Sequence, residues 1–592
     1  MALDLKQRYE KLQTEMAAAH IEDWNDISAF LDQHASGASA PESTHGDHVA
    51  FHALTAKGVA FYTFDYGIDG VSIEITKYAQ CLEHLLGPTA GDNGVPLHFI
   101  GGDFHDKADI VLKPEWHRFR IDGMNGWSKW DEGKWFSKLY YEDMPENSDS
   151  SHAVAQEIWQ QAVTIATALG GYLATNDISL IIPVNIPSNP GNLSAELALV
   201  MASEIMGLYV INSNHDFYWE GGKPASERQP DEPNGPRDHF FRNMDNSAFF
   251  TLFQKLYPWN GDRWLQVNIN SPQSDTLVTT FGFDRSRVFE LGTSISDTFF
   301  DHFTLEEQRH IRHKMAYILS DGHPTIQTVG IDEHLATLSD WMTGQHPVVC
   351  GARSGLTLDP SHEKTIYCLQ PTRVIARKRI EKNFELIHAL MEFPEFRNTF
   401  ENDPDRQLIV HISGPVPIEH QADLETVLTA YKTVLNSLPE AVADRIFVAF
   451  SVGTEDHPAL AENGLSKMNI EEIYRLATLI LFPSETEGRG LPIVESSAGG
   501  IPIVCSRYYP EEVFAEVVGE HLPEEEQILY ILFPEEAFPA ATLSQLSRIM
   551  LVPGSYHHFK AHNKNAVRLR YSTGMVQHKF DTFIETLGEH TA

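Results

Sequence analysis

The sequence predicts an α/β protein of two facing domains with a deep cleft between them. Short apolar runs alternate with amphipathic stretches of helical period along most of the chain, the pattern of strands covered by helices. Polar, glycine-bearing loops follow several of the apolar runs, and the carboxyl ends of strands are where open α/β sheets take ligands. The length of 592 residues exceeds what one core carries, so at least two large domains are expected.

Composition narrows the function classes. Hydrophobic content is 42%, ordinary for a globular protein. Lys and Arg number 44 against 82 Asp and Glu, a formal net charge of −38. That excess argues against non-specific nucleic-acid binding and against adhesion to anionic lipid. No apolar stretch has membrane-spanning length, and the first residues lack the apolar core of a signal peptide. Cys81, Cys350, Cys368 and Cys505 show no metal-like spacing, and Cys368 and Cys505, in apolar strand-like runs, are expected as buried thiols. A cytoplasmic protein is expected. The aromatic run Trp127 to Tyr141 reads as a core-facing segment or a substrate-lining loop.

In chain order, residues 1–48 read as a helical extension followed by a Ser/Gly/His-rich linker, which either docks on the body or mediates self-association. The first domain is expected over 49–300. It opens with a strand from Val59, a glycine turn, and a helix with apolar spacing at Ile75, Tyr78, Ala79, Leu82 and Leu85. Strand and helix then alternate through Leu97 to Ile100, Ala153 to Ala168, Ile178 to Val184 and a helix ending near Met206. Leu208 to Phe217, Trp264 to Ile269 and Val288 to Thr293 complete the set. Residues 301–362 read as a helical connection or insertion, 363–565 as the second domain, and 566–592 as a C-terminal helix that crosses back to the first. No internal repeat is evident.

The segment Leu479 to Val504 concentrates the chemistry. A strand-like run ends at Phe482, then Pro483 and Ser484 open a loop carrying Glu487, Gly488 and Gly490. Pro492 begins an amphipathic run with Glu495 in its first turn. Pro is favoured just inside a helix start, where its missing N–H costs nothing, and a carboxylate there meets the positive end of the helix dipole. Two carboxylates and several free backbone N–H groups converge, which suits a ligand rich in hydroxyls that also carries an anionic group. Upstream, the run Thr365 to Val374 reads as a buried strand, with Arg373 near its end and Lys378 five positions on, before an apolar-periodic helix at Phe384 to Met391. Arg offers a planar fork to phosphate oxygens and Lys a compact charge. Arg377, Arg379 and Lys382 read as a solvated basic edge.

Glu487, seven residues and Glu495, set within Glu-Gly-x-Gly-Leu-Pro-x-x-Glu and followed by Gly500-x-Pro502, resemble the donor site of retaining family 4 glycosyltransferases. These have the GT-B fold of two facing Rossmann-like domains, and the donor domain is similar to that of glycogen and sucrose-phosphate synthases. Arg489 departs from the family, which usually shows an aromatic residue there. The resemblance implies that Glu487 hydrogen-bonds the sugar, aided by the backbone N–H groups of Gly488, Arg489, Gly490 and Leu491. It also implies that Glu495 holds the ribose, and that Arg373 and Lys378 bind the diphosphate. On the first domain it implies Gly70 facing the diphosphate, with Asp69 where the family usually has a second glycine. His215 would contact the transferred sugar, while Asp216 orients that imidazole or binds acceptor. Arg237, His239 and Arg242 would bind an anionic acceptor or pair with local acids.

The function so implied is transfer of a hexose, with retention, from a nucleotide diphosphate sugar of UDP-glucose or GDP-mannose type. The acceptor would be soluble, polar and possibly phosphorylated, and the leaving diphosphate would assist same-face attack. No metal and no cofactor beyond the donor is implied; no nucleic-acid or membrane partner is expected, and self-association is left open. The competing readings are a GT-B phosphorylase, a sugar-nucleotide epimerase, and a catalytically silent sugar-binding or scaffold protein.

Overall fold

Fifteen strands, among the described residues, form two separate sheets that account for the alternation in the sequence. The computed structural model describes residues 4–35, 54–67, 69–87, 94–106, 108–126, 138–220, 242–323, 325–344, 346–416, 420–451, 457–552 and 554–589. The chain divides into one unit of Met1–Thr293 with Gly574–Ala592 and a second of Ser294–Thr573.

In the first unit the strands are β1 (Val59–Tyr62), β2 (Leu97–Gly101), β3 (His117–Arg120), β4 (Leu180–Pro183), β5 (Tyr209–Asn214), β6 (Trp264–Asn268) and β7 (Val288–Glu290). They lie in the order β3-β2-β1-β4-β5-β6-β7, all parallel. Parallel strands covered on both faces read as continuous apolar runs, and β1 and β4 are buried throughout. The N-terminal helices α1 (Leu5–Ala18) and α2 (Trp24–Ala35) are not an appendage. Their faces, Leu5, Leu12, Met16, Trp24, Ile27 and Leu31, are buried in the core of this unit. Trp24 donates its indole N–H to Ser151 Oγ at 3.0 Å.

Helix α3 (Gly70–Leu86) follows β1, and α4 (Asp149–Asn176) begins at the N-cap Ser148. Helix α5 (Leu193–Met206) is buried on nearly every side, as a helix apolar all round should be. It ends at Gly207, whose left-handed φ of 66° and crowding by Arg8 and Arg263 leave no room for a side chain.

The second unit holds β8 (Val329–Gly330), β9 (Val348–Gly351), β10 (Ile366–Gln370), β11 (Leu408–Ile412), β12 (Ile446–Phe450), β13 (Leu479–Phe482), β14 (Ile503–Cys505) and β15 (Ile531–Leu532). Their order is β8-β9-β12-β11-β10-β13-β14-β15, parallel except where β9 runs against β12. Six of them, β12-β11-β10-β13-β14-β15, have the 3-2-1-4-5-6 order of a dinucleotide-binding sheet.

Residues 301–362, expected as a helical connection or insertion, belong to this second unit, which begins at Ser294. Helix α6 (Leu305–Leu319) starts in a capping box of Thr304 and Glu307 and buries Ile311, Met315, Ile318 and Leu319. Lys314, buried, is held at 2.8 Å by Glu472. Strands β8 and β9 are too short to stand out from their irregular surroundings in the sequence. The unit also runs past residue 565, since the helix His557–Tyr571 is part of it. The crossing starts only at the final helix, Thr573–Glu589, whose Val576, Phe580, Phe583, Ile584 and Leu587 are buried in the first unit's core. All four cysteines are buried and unpaired. Among the described residues no helix is long and apolar enough to cross a membrane.

Candidate functional site

Strands β10 and β13 are neighbours in register, Cys368 beside Leu479 and Leu369 beside Ile480. They sit where the strand order of the second sheet reverses, so the loops leaving their carboxyl ends flank the crevice such a sheet opens to ligands. These loops carry Arg373 and Lys378 on one side and Glu487 to Gly490 on the other.

The first loop is held from beneath. Asn383 donates to Gln370 Oε1 at 2.9 Å, and Gln370 donates to Thr372 Oγ1 at 2.7 Å. Val374 N–H donates to the Pro415 carbonyl at 3.1 Å. Gly414 lies against this loop so closely that a Cβ there would fall 2.2 Å from the carbonyl of Thr372 and 2.5 Å from Arg373 N. Glycine is therefore what lets the Arg373 loop lie where it does. A single 3-10 turn, Ala376–Lys378, then turns Lys378 inward while Arg373 is exposed.

The second loop is clamped on both flanks. Glu485 N–H donates to Arg377 O at 2.8 Å and the Arg377 guanidinium donates to Thr486 O at 2.8 Å. On the other flank Tyr509 N–H donates to Glu485 O at 2.7 Å and Glu487 N–H to Tyr509 O at 3.1 Å. The backbone leading into Glu487 is thus fixed by the Arg377 turn on one side and by Tyr509 on the other.

Lys378 donates to Glu487 Oε1 in an ion pair, with only 9% and 11% of the two side chains exposed. Two groups expected on opposite parts of one ligand, the diphosphate and the sugar, hold each other here. Burial holds the Lys378 ammonium below its usual pKa, against the opposing pull of Glu487.

Helix α7 (Leu491–Gly499) begins after Gly490, which is left-handed at φ 58° and faces the Tyr508 hydroxyl. Pro492 occupies the helix start as expected. Glu495 does not lie in the first turn, because the helix begins at Leu491 and puts it one turn further in. Its carboxylate accepts a 2.5 Å hydrogen bond from Tyr474, which fixes its orientation. At the far end Gly500 is left-handed at φ 68°, with Gly500 N–H on Ser497 O and Ile501 N–H on Ser496 O, a helix stop that explains the Gly500-x-Pro502 signature.

Glu487, Lys378, Arg373, Gly488, Arg489, Gly490, Leu491 and Glu495 thus all lie on two adjacent loops and the helix that follows. Arg377, read as a solvated edge, instead ties the two loops together, whereas Arg379 pairs with Glu381 at 2.7 Å.

The remaining expected residues belong to the first unit. Gly70 opens α3, but its φ is ordinary and a Cβ there would meet nothing within 4 Å. The Asp69 carboxylate accepts from Val71 N–H at 2.9 Å and Ser72 N–H at 3.0 Å. The departure from a double glycine therefore places a negative group on the helix N-terminus that was expected to face a diphosphate. His215, buried, follows β5, and its carbonyl accepts from Gln273 at 3.1 Å. Asp216 receives Asn185 Nδ2 at 3.5 Å. Arg242 pairs with Asp143 at 3.2 Å at the surface, the local pairing that was one of its two readings. Arg237 and His239 lie outside the described residues, as do the linker from residue 36 to 48 and most of the Trp127 to Tyr141 run.

Three residues escaped sequence reading. Tyr474 comes from a short helix capped by Asn469, and no pattern links it to Glu495 across 21 positions. Tyr508 lies three residues after β14, and nothing in its sequence context links it to Gly490. The role of Gly414 beneath Arg373 needs the fold.

No family model matches the chain. Among curated proteins it is similar to a sulfoquinovosyl transferase of Arabidopsis thaliana, 28% identical over 113 residues, which is 18% of this chain and 20% of that protein's length. Among solved structures it resembles a glycosyltransferase from Rickettsia africae, with 11% identity, 90% of this chain and 98% of that one covered, and a TM-score of 0.49. It also resembles HepE of Anabaena in complex with UDP and glucose (10% identity, 89% and 98% covered, TM-score 0.47). A sucrose-phosphate synthase from Thermosynechococcus elongatus gives 13%, 89% and 97%, and 0.44.

Proposed function

We propose that this chain is a GT-B glycosyltransferase of the retaining kind that moves a hexose from a nucleotide diphosphate sugar, of UDP-glucose or GDP-mannose type, to a soluble polar acceptor in the cytoplasm. The observation that carries this reading is the convergence of the Lys378–Glu487 pair, Arg373 and Glu495 at the carboxyl edge of a sheet with the 3-2-1-4-5-6 order. The short matched stretch of the curated transferase is compatible with it.

In this reading the donor diphosphate displaces Glu487 from Lys378 and takes that ammonium together with Arg373. Glu487, released, accepts hydrogen bonds from sugar hydroxyls, while Glu495, steadied by Tyr474, accepts from the ribose. The bond from the anomeric carbon to the diphosphate breaks, and the acceptor oxygen bonds to that carbon on the same face. The acceptor's proton passes to the departing phosphate oxygen. Negative charge grows on the diphosphate as its bond breaks, so fixed cations stabilise the transition state more than the ground state. That role needs no metal. Gly70 has no part in this reading because Asp69 closes its helix end, and His215, Asp216 and Arg242 carry none of the argument.

The test is a thermal-shift panel of UDP, GDP and ADP sugars, followed by turnover of the stabilising donor with candidate acceptors and NMR of the product anomer. A rise in Tm with one nucleotide series, and loss of turnover by roughly a hundredfold in Glu487→Gln with the fold intact, are expected. No shift across the saturated panel would overturn the reading and favour a phosphorylase or a silent scaffold.

A further inference from the structure

Arg312 of α6 is buried at the opposite edge of the second sheet. Its Nε donates to Leu476 O at 2.8 Å, its Nη1 to Thr365 O at 3.1 Å and its Nη2 to Thr478 Oγ1 at 3.0 Å. Thr365 and Thr478 immediately precede β10 and β13, so this one guanidinium joins the amino ends of the two strands whose carboxyl ends carry Lys378 and Glu487. It also lies 5.3 Å from the Tyr367 ring. Its partners are two carbonyls, a hydroxyl and a ring, with no carboxylate among the described residues. Three of its five N–H groups are used.

Arg312 lines a cavity of about 360 Å³ together with Arg309, Lys364, Arg406, Thr478 and Tyr556. The acids nearby account for the other cations. Glu363 pairs with Arg309 at 3.2 Å, and Asp403 and Asp405 lie 3.0 and 3.4 Å from Lys364. Arg406 reaches Asp403 only at 3.4 Å, and its Nε is buried with no hydrogen-bond partner among the described residues. A surplus of buried positive charge therefore faces a cavity, in a chain whose formal charge is −38. Buried charges in native proteins are paired or bind an ion, because an uncompensated one carries a large desolvation penalty. Burial accordingly lowers the Arg312 pKa to about 10.

We infer that this cavity is a binding site for a phosphate monoester of a small metabolite, with Arg312 and Arg406 holding the phosphate and Arg309 at the mouth. Arg forks match the oxygens of a phosphate, and the volume falls in the range of small-molecule sites rather than of a lone ion. The ligand completes the charge that the chain leaves uncompensated. The site lies at the sheet edge away from the candidate donor loops and stands independently of the proposed transferase activity.

The experiment is calorimetric titration of the full chain with ribose 5-phosphate and, separately, with inorganic phosphate, in the Arg373→Ala background so that the donor loop is disarmed. Saturable binding that persists in Arg373→Ala and weakens about tenfold or more in Arg406→Gln with Arg309→Gln is expected. Arg309 lies at the cavity mouth and Arg406 inside it, and both substitutions spare the link that Arg312 makes between the two strands. Arg312→Met, checked for fold by circular dichroism, should abolish binding. Tighter binding of ribose 5-phosphate than of inorganic phosphate supports the monoester; binding of inorganic phosphate alone overturns that assignment. No saturable binding, or binding unchanged in the cavity variants, overturns the site.

Discussion

Lys378 and Glu487, 109 residues apart in sequence, close an ion pair over the carboxyl ends of two adjacent parallel strands. Both side chains are nearly buried, so each offsets the desolvation of the other. Removing one partner of such a pair leaves an uncompensated charge, whereas removing both does not. Lys378→Met should therefore destabilise the protein by about 3 kcal/mol, and Lys378→Met with Glu487→Gln by distinctly less. Urea midpoints of the two variants check this. Equal losses would show that the pair is not coupled in solution.

The strands that build the site were legible because parallel strands covered on both faces leave unbroken apolar runs, and β10, β11, β12 and β13 all appear in the sequence as such. The loop residues Glu487 and Lys378 were legible because glycines and prolines punctuate them in a recognisable order. Their mutual pairing was not, since nothing in one loop encodes the other's distance. Gly70 is described by the fold rather than by its own sequence context, which does not say what lies against it. A glycine at a strand-to-helix turn looked like a close-approach residue, yet the preceding Asp69 had already supplied the cap. In the stretch 301–362, β8 and β9 are two and four residues long and β9 pairs with β12, nearly a hundred positions away, so neither strand stands out in the sequence.

Gly490 combines a left-handed backbone with a crowded neighbour. A Cβ there would stand 2.3 Å from the Tyr508 hydroxyl, an oxygen that is buried and has no hydrogen-bond partner among the described residues. Gly490→Ala should cost about 1 kcal/mol for the backbone and a further penalty of about 1–3 kcal/mol for the overlap. Tyr508→Phe removes an unpaired buried hydroxyl, so alone it should be neutral or slightly stabilising. In that background Gly490→Ala should cost chiefly the backbone contribution. Thermal midpoints of the four proteins form the cycle, and the same cost in both backgrounds would refute the contact.

Trp24 tests whether the N-terminal helices are part of the first unit's core. The indole is buried, packs edge-on against Phe249 at 5.1 Å, and donates to a Ser151 hydroxyl that also accepts from Asn246 at 2.9 Å. Trp24→Ala should destabilise the first unit by about 3–5 kcal/mol. Protease resistance of residues 54–220 reads the effect. An unaltered digestion pattern would mean that the extension is dispensable.

His411 sets an acid limit on the second unit. It lies buried on β11 with Nδ1 2.7 Å from the Tyr367 hydroxyl and Nε2 2.6 Å from that of Ser451, so the neutral ring is satisfied at both nitrogens. Burial lowers its pKa to about 3. Below the unfolded value of about 6.5, the unfolded chain binds a proton that the folded chain refuses, so stability falls with falling pH. The contribution is fully present above about pH 6.5 and is lost progressively as pH falls toward about 3, a matter of a few kcal/mol. In His411→Asn that part of the acid limb should vanish. The wild-type advantage in urea midpoint at neutral pH should then shrink steadily through the same window, and an advantage constant with pH would show that the imidazole titrates normally.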